Sequence, residues 1–177
     1  AVVMALAGSA LGARLALMVD SEIFKVIMLV VLPLTACYVL RRRDLGGDRT
    51  PFSSSKTSLI ASTLALLIGI YDGFYGPGTG TFLMLLLTAM AHMSLNEAAG
   101  TTKAINLSTN VAALAVFLWH GVVWLPLALA ASVFGIAGNY IGAHYFTRKE
   151  SRIARPVIIV VLSIFFIKIC LELLGII

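Results

Sequence analysis

The chain has 177 residues, of which 60% are hydrophobic and only 12% charged, with a mean hydropathy of +1.00. Soluble domains are about half apolar and a quarter charged, so this composition excludes an ordinary soluble protein and points to an integral membrane protein. The net charge of +5 does not imply nucleic acid. The basic residues gather in two short segments between apolar runs, Arg41, Arg42, Arg43, Arg49 and Lys56 in one and Arg148, Lys149, Arg152 and Arg155 in the other. That is the positive-inside pattern of cytoplasmic loops.

The first apolar run, Ala1 to Val19, opens without a basic flank, so no signal peptide is expected. A polar break with Asp20 and Glu22 follows, then a second run, Ile23 to Leu40, long enough to span a bilayer. Leu45 to Ser58 reads as a polar linker. Leu59 to Met93 is too long for one span and is interrupted by Gly73-Phe-Tyr-Gly-Pro-Gly-Thr-Gly80. Three further runs follow: Leu95 to Trp119, Val122 to Phe146 and Ile153 to Leu174. Trp119 and Trp124 flank the joint at Gly121 and read as an interfacial belt. Cys37 and Cys170 lie inside apolar runs and show no metal-ligand spacing or sign of a disulfide. His92, His120 and His144 are scattered and show none either, so no cofactor or metal is expected.

Shifting the chain by about 130 positions lays its start on its end. Gly8, Gly12 and Ala13 fall on Gly138, Gly142 and Ala143, and Asp20-Ser21 falls on Glu150-Ser151. Each copy places a Gly-x-x-x-Gly step, a close-packing motif of membrane helices, before a charged turn. The reading is residues 1–40 as the end of a first transmembrane repeat, 41–58 as a cytoplasmic linker and 59–177 as a second repeat. By the logic of paired transporter repeats, the first unit lacks roughly 70 N-terminal residues and the chain is a fragment. With both basic segments cytoplasmic, the broken segment must enter and leave on one side, as a re-entrant hairpin or as a pair of half-helices counted as an even number of crossings, and the two units are inverted. The expected fold is an all-α, polytopic transmembrane bundle with inverted repeats and a glycine-rich broken helix.

The break carries the chemistry. A broken helix at membrane depth survives only where it is buried in protein or lines a polar cavity. The glycines offer unobstructed backbone N–H groups leading into a half-helix, whose N-terminus favours anions. The candidate binding residues are Gly76, Pro77, Gly78, Thr79, Gly80 and Thr81, joined from the next helix by Lys103, Asn106 and Asn110, which share one face with Asn96. A lysine at the bilayer centre costs about 2.5–3.5 kcal/mol on insertion scales, so Lys103 either snorkels to the interface or serves the site. The asparagines either bind or glue helices together. Asp72 is the coupling candidate: it carries a proton, pairs with Lys103 or caps the half-helix. Lys168 and Glu172 read as a helix pair.

The segments Gly73 to Phe82 and Thr102-Lys103-Ala-Ile-Asn106-Leu-Ser108-Thr-Asn110, with Gly138 to Ala143 and the closing helix, resemble the sulfite exporter TauE/SafE family of membrane transporters. The resemblance implies movement of sulfur-containing anions, such as sulfite or sulfonates, across the bacterial inner membrane by a protein of two similar halves. The family's glycine-rich first-half motif is absent here. The expected function is secondary transport of a small anion by alternating access, with proton or sodium coupling and homo-oligomerisation both left open. The bilayer is the other partner. A scaffold or accessory subunit is the alternative, and a membrane-embedded enzyme a more distant one.

Overall fold

The computed structural model describes residues 1–20, 22–27, 29–30, 33–34, 50–146, 160, 163–164, 166–168 and 170–171, and among them only helices and connections occur. The helices whose bounds are described are α1 (Val2–Met18), α2 (Ser54–Phe74), α3 (Thr79–Met90), α4 (Leu95–Trp119) and α5 (Leu125–Phe146). They belong to two units, Ala1–Trp119 and His120–Ile177.

In the first unit α1 and α2 pack backbone to backbone, because each carries a Gly-x-x-x-Gly step facing the other. A Cβ on Gly8 or Gly12 would run into the carbonyls of Leu66 and Ile70, and one on Gly73 into the carbonyl of Ser9. A Cβ on Gly69 would stand 3.0 Å from the Ala5 carbonyl. Partner numbers rise together along the two helices, so α1 and α2 run parallel. Between them lies the expected second run, 23–40. Most of that segment lies outside the described residues, but 22–27 are helical, and Phe24 meets Phe74 with ring centroids 5.6 Å apart.

Residues 75–78 reverse the chain into α3, which runs antiparallel to α2. The Thr57 hydroxyl, at the start of α2, donates to the Ala91 carbonyl just past the end of α3 at 3.3 Å. Both ends of the hairpin thus lie at one end of the pair, with the glycine turn at the other. α3 has 12 residues, about 18 Å of helix and little more than half a bilayer's apolar thickness. Its Leu83 and Leu87 are fully buried and pack with Ala5, Ala61, Ala65, Ala98 and Ile105. The alanines let the four helices approach closely where no hydrophobic drive exists between lipid-bathed surfaces. α2, unlike the expected linker boundary at Ser58, begins at Ser54.

α4 starts on a reciprocal cap: the Ser94 N–H donates to Glu97 Oε2 at 3.0 Å, and the Glu97 N–H faces Ser94 Oγ at 3.4 Å. It runs 25 residues, about 37 Å, and touches α1 where the buried Ser9 hydroxyl donates to the Thr109 carbonyl at 2.6 Å. Among the described residues α2 alone is both long and apolar enough to qualify as a span by itself. α4 has the length, but its polar stripe of Asn96, Glu97, Lys103, Asn106 and Asn110 dilutes it.

In the second unit α5 is apolar on every side, and its residues 129–141 are exposed all round. A helix apolar on all faces belongs inside a large core or a membrane. The expected helix Ile153 to Leu174 falls mostly outside the described residues, as do Arg148 to Arg155 and Glu172; the described positions from 160 to 171 are helical. Among the described residues no heavy atom stands within 4 Å of a Cβ built on Gly138.

Candidate functional site

The turn between α2 and α3 is built on two glycines in the left-handed region, Gly76 at φ 89° and Gly78 at φ 86°. L side chains adopt such angles at a cost, which is why glycine stands at both. Gly78 is the N-cap of α3. The first-turn N–H groups of α3 have no partner within the helix and present partial positive charge to whatever lies before them. Aromatic rings brace the tip: the Tyr71 hydroxyl donates to the Pro77 carbonyl at 2.7 Å, and the Tyr71 ring meets Phe82 edge-on at 5.6 Å.

α4 supplies the opposite wall. A Cβ on Gly80 would come within 3.2 Å of Asn106 Nδ2, so the absent side chain is what lets the amide approach the start of α3. Asn106 lies eleven residues from Leu95, about 17 Å along the axis, and Asn110 nine residues from Trp119, about 14 Å. The turn therefore sits against the middle of α4. A cavity of about 500 Å³ opens there, lined by Asp72, residues 73–76, Gly78, Thr79, Gly80, Asn106, Asn110, Ala113 and Phe117.

The structure gathers most of the sequence-derived set but not all of it. Gly76, Gly78, Thr79, Gly80, Asp72, Asn106 and Asn110 share the cavity. Pro77 and Thr81 flank it without lining it. Lys103 is exposed, does not line the cavity, and makes no hydrogen bond or ion pair among the described residues. The reading of Asp72 as its ion-pair partner is therefore not realised. Asp72 instead approaches the first turn of α3, with Oδ1 2.6 Å from the Thr79 hydroxyl. Thr79 is not a free donor for a ligand, since the same hydroxyl also lies 2.6 Å from the Gly76 carbonyl. Asn110 donates to the Asn106 carbonyl at 2.7 Å within its own helix, so it bridges no helices. Asn96 is exposed at the start of α4.

Two polar atoms beside the turn were not anticipated. Thr102 is 6% exposed, and among the described residues its hydroxyl has no partner. Asn106 Oδ1 and Tyr75 OH are likewise buried, with no partner among the described residues. Buried polar atoms are nearly always hydrogen-bonded, so three orphans around one turn mark a place built for water or a ligand. The i, i+4 spacing of Thr102 and Asn106 was the available signal. A second cavity, of about 560 Å³, lies at the other end of the hairpin beside Thr57, Met93 and Glu97. There Phe52 stacks on His92 at 3.9 Å, and Lys56 Nζ stands 3.8 Å from the centroid of the Phe52 ring. Among the described residues no cluster of side chains could hold a metal ion.

The family model described as sulfite exporter TauE/SafE matches residues 1–169. A probable membrane transporter protein, ORF9, of Sinorhizobium is 34% identical over 89% of this chain and 60% of its own length. A probable membrane transporter protein of Haemophilus influenzae is 29% identical over 86% of this chain and 60% of its own length. The probable membrane transporter protein YfcA of Escherichia coli is 26% identical over 94% and 62% respectively. The chain thus spans about 60% of the length of these curated relatives. No solved structure matches it.

Proposed function

The chain belongs to the sulfite exporter TauE/SafE family of membrane transporters, and on that premise we propose that it forms the anion-binding part of a secondary transporter, multi-pass in the bacterial inner membrane. The observation that carries the reading is the glycine turn that caps the half-length α3 against the middle of α4, beside a polar cavity. Backbone N–H groups at a helix start, with an asparagine amide opposite, form a seat for a small oxyanion. Sulfite or an organosulfonate is the substrate class.

Lys103 lies one turn before Asn106 but outside the cavity lining, so its part in the proposal is to attract the anion by charge rather than to touch it. The common end shared by Thr57 and Ala91, with the tip halfway along α4, supports a re-entrant hairpin. Broken helices of this kind, paired with an inverted second copy, hold substrate in many secondary transporters. Asp72, at the tip, is the residue through which an ion gradient would act.

The test is sulfite flux in lipid vesicles holding the full gene product, wild type against Asn106→Ala, with equal incorporation. Protein-dependent flux that falls at least tenfold in the variant supports the assignment. Equal flux in both moves the site elsewhere, and no flux above empty vesicles for sulfite or for methanesulfonate removes the anion-transport reading and favours a scaffold role.

A further inference from the structure

One hydroxyl beside the glycine turn is unused where others on the same helices are engaged. Thr63 donates to the Leu59 carbonyl at 3.1 Å, Thr88 to Met84 at 2.8 Å, Ser108 to Ala104 at 2.7 Å and Thr109 to Asn106 at 3.0 Å. Such a bond, to a carbonyl three or four residues back, is the ordinary fate of a hydroxyl inside a helix. Thr102 has the Ala98 carbonyl four residues back, yet among the described residues its buried hydroxyl has no partner. A buried donor without an acceptor is destabilising, and folded chains carry few of them. One that persists beside a local acceptor is kept for a group the chain itself does not supply.

The place of Thr102 in the fold says what that group is. It stands one helical turn before Asn106, on the same side of α4. A Cβ on Gly80 would lie 3.2 Å from Asn106 Nδ2 and 3.9 Å from Thr102 Cγ2. Both side chains therefore flank the first turn of α3, where backbone N–H groups have no helical partner. Asn106 Oδ1 is buried and has no partner among the described residues, so the protein does not lock this amide either. Asn106 lines the cavity and Thr102 lies behind it, outside the lining. The lining holds Asp72 and no basic side chain. An anion that leaves water for this place finds only neutral donors to replace its hydration, so every hydroxyl and amide matters.

We propose that Thr102 is a substrate-binding residue, whose hydroxyl donates to an oxygen of the anion as the anion passes from the cavity into the space between α4 and the first turn of α3. This rests on the anion-transport reading and adds a second position along the path. In this conformation the anion meets Asn106 at the cavity, while Thr102 is covered by the start of α3. Gly80, which has no side chain, is the thinnest part of that cover. A shift of the tip away from α4 uncovers the hydroxyl, so Thr102 holds the anion only after the first binding step. An interaction made only past that step raises the maximal rate and leaves the first binding as it was.

Two readouts on Thr102→Val, which keeps the branched shape and removes the O–H, separate a hydroxyl kept for substrate from one that holds the fold. The first is thermal unfolding of the full gene product in detergent without anion. The variant should melt at or above the wild-type temperature, because an unmet buried donor has gone. The second is methanesulfonate flux in lipid vesicles at equal incorporation. The maximal rate should fall about tenfold with the half-saturating concentration close to wild type, the loss of one hydrogen bond to a charged group. Thr102→Ser, which restores the hydroxyl, should recover the rate. A Thr102→Val protein that melts below wild type assigns the hydroxyl to the fold, and one that keeps the wild-type maximal rate assigns it nothing in transport; either overturns the proposal. Wild type that moves neither sulfite nor methanesulfonate overturns the transport reading beneath it.

Discussion

The packing of α1 on α2 gives the sharpest test of how the site is held. Gly73→Ala places a methyl group against Ser9, whose carbonyl carbon and Cα stand 2.8 Å from the new carbon and whose carbonyl oxygen is nearer still. Reaching the 3.4 Å of ordinary contact requires the backbones to part by at least 0.6 Å (3.4 − 2.8) at those two atoms. Neither atom belongs to a flexible side chain, so nothing local can give way. Overpacking of this kind costs about 1–3 kcal/mol, a factor of about 5–150 in the unfolding equilibrium. The same displacement pulls Ser9 from its 2.6 Å bond to Thr109 and moves the end of α2 that carries Asp72. Gly69→Ala is the internal comparison. Its nearest neighbour is at 3.0 Å and the others at 3.4 Å, so a shift of a few tenths of an ångström accommodates it. Stability should be followed by thermal unfolding of the full gene product in one detergent, with incorporation checked by size exclusion. Gly73→Ala should melt lower than both wild type and Gly69→Ala and should lose flux. If the two variants melt alike, the parallel backbone contact between α1 and α2 is wrong.

Further outcomes follow from the turn, the polar wall and the cap. Gly78→Ala forces a Cβ into φ 86° at a cost of about 1–2 kcal/mol, and anion flux should fall while membrane insertion stays normal. Lys103→Ala should raise the apparent KM for sulfite severalfold with little change in maximal rate, and the difference should shrink at high salt as screening replaces the charge; loss of maximal rate instead would put the lysine in contact with substrate. At the exposed start of α4, the Ser94 hydroxyl and then its N–H hold the Glu97 carboxyl below its ordinary value of 4.5. Because the folded value is the lower one, the support this cap gives is present above pH 4.5 and is lost as the pH falls through the folded value. Amide exchange at residues 95–98 should quicken over that acid range in wild type, and Glu97→Gln should flatten the dependence.

Much of this protein was legible from its residues one at a time. A chain this apolar and this poor in charge has to be read against lipid, and two glycines around a proline inside an apolar run cannot continue a helix. Those facts alone placed the break between α2 and α3 and pointed to the start of α3 as the candidate anion seat. The spacing of Asn106 and Asn110 put them on one face because a helix repeats every 3.6 residues. The cap at the start of α4 was also readable, as Ser-x-x-Glu before an apolar run, though the expected start at Leu95 did not use it.

Helical periodicity could not decide which neighbour each face would meet. Lys103 shares the stripe of Asn106 in sequence, yet the cavity takes Asn106 and leaves the lysine outside, because Gly80 faces Asn106 and Thr102 rather than the lysine. The Gly-x-x-x-Gly step of α1 announced close packing, but its partner, Gly69 and Gly73 of α2, and their parallel sense were set by the mutual fit of two side-chain-free strips. Asp72 had three readings in sequence, and only the turn's geometry brought it to Thr79. Sequence by itself determined where the backbone must break and which residues can lie side by side, since propensity and periodicity are local. Tertiary structure alone decided which groups converge, since a 2.6 Å contact between residues seven apart depends on how four helices pack around one turn.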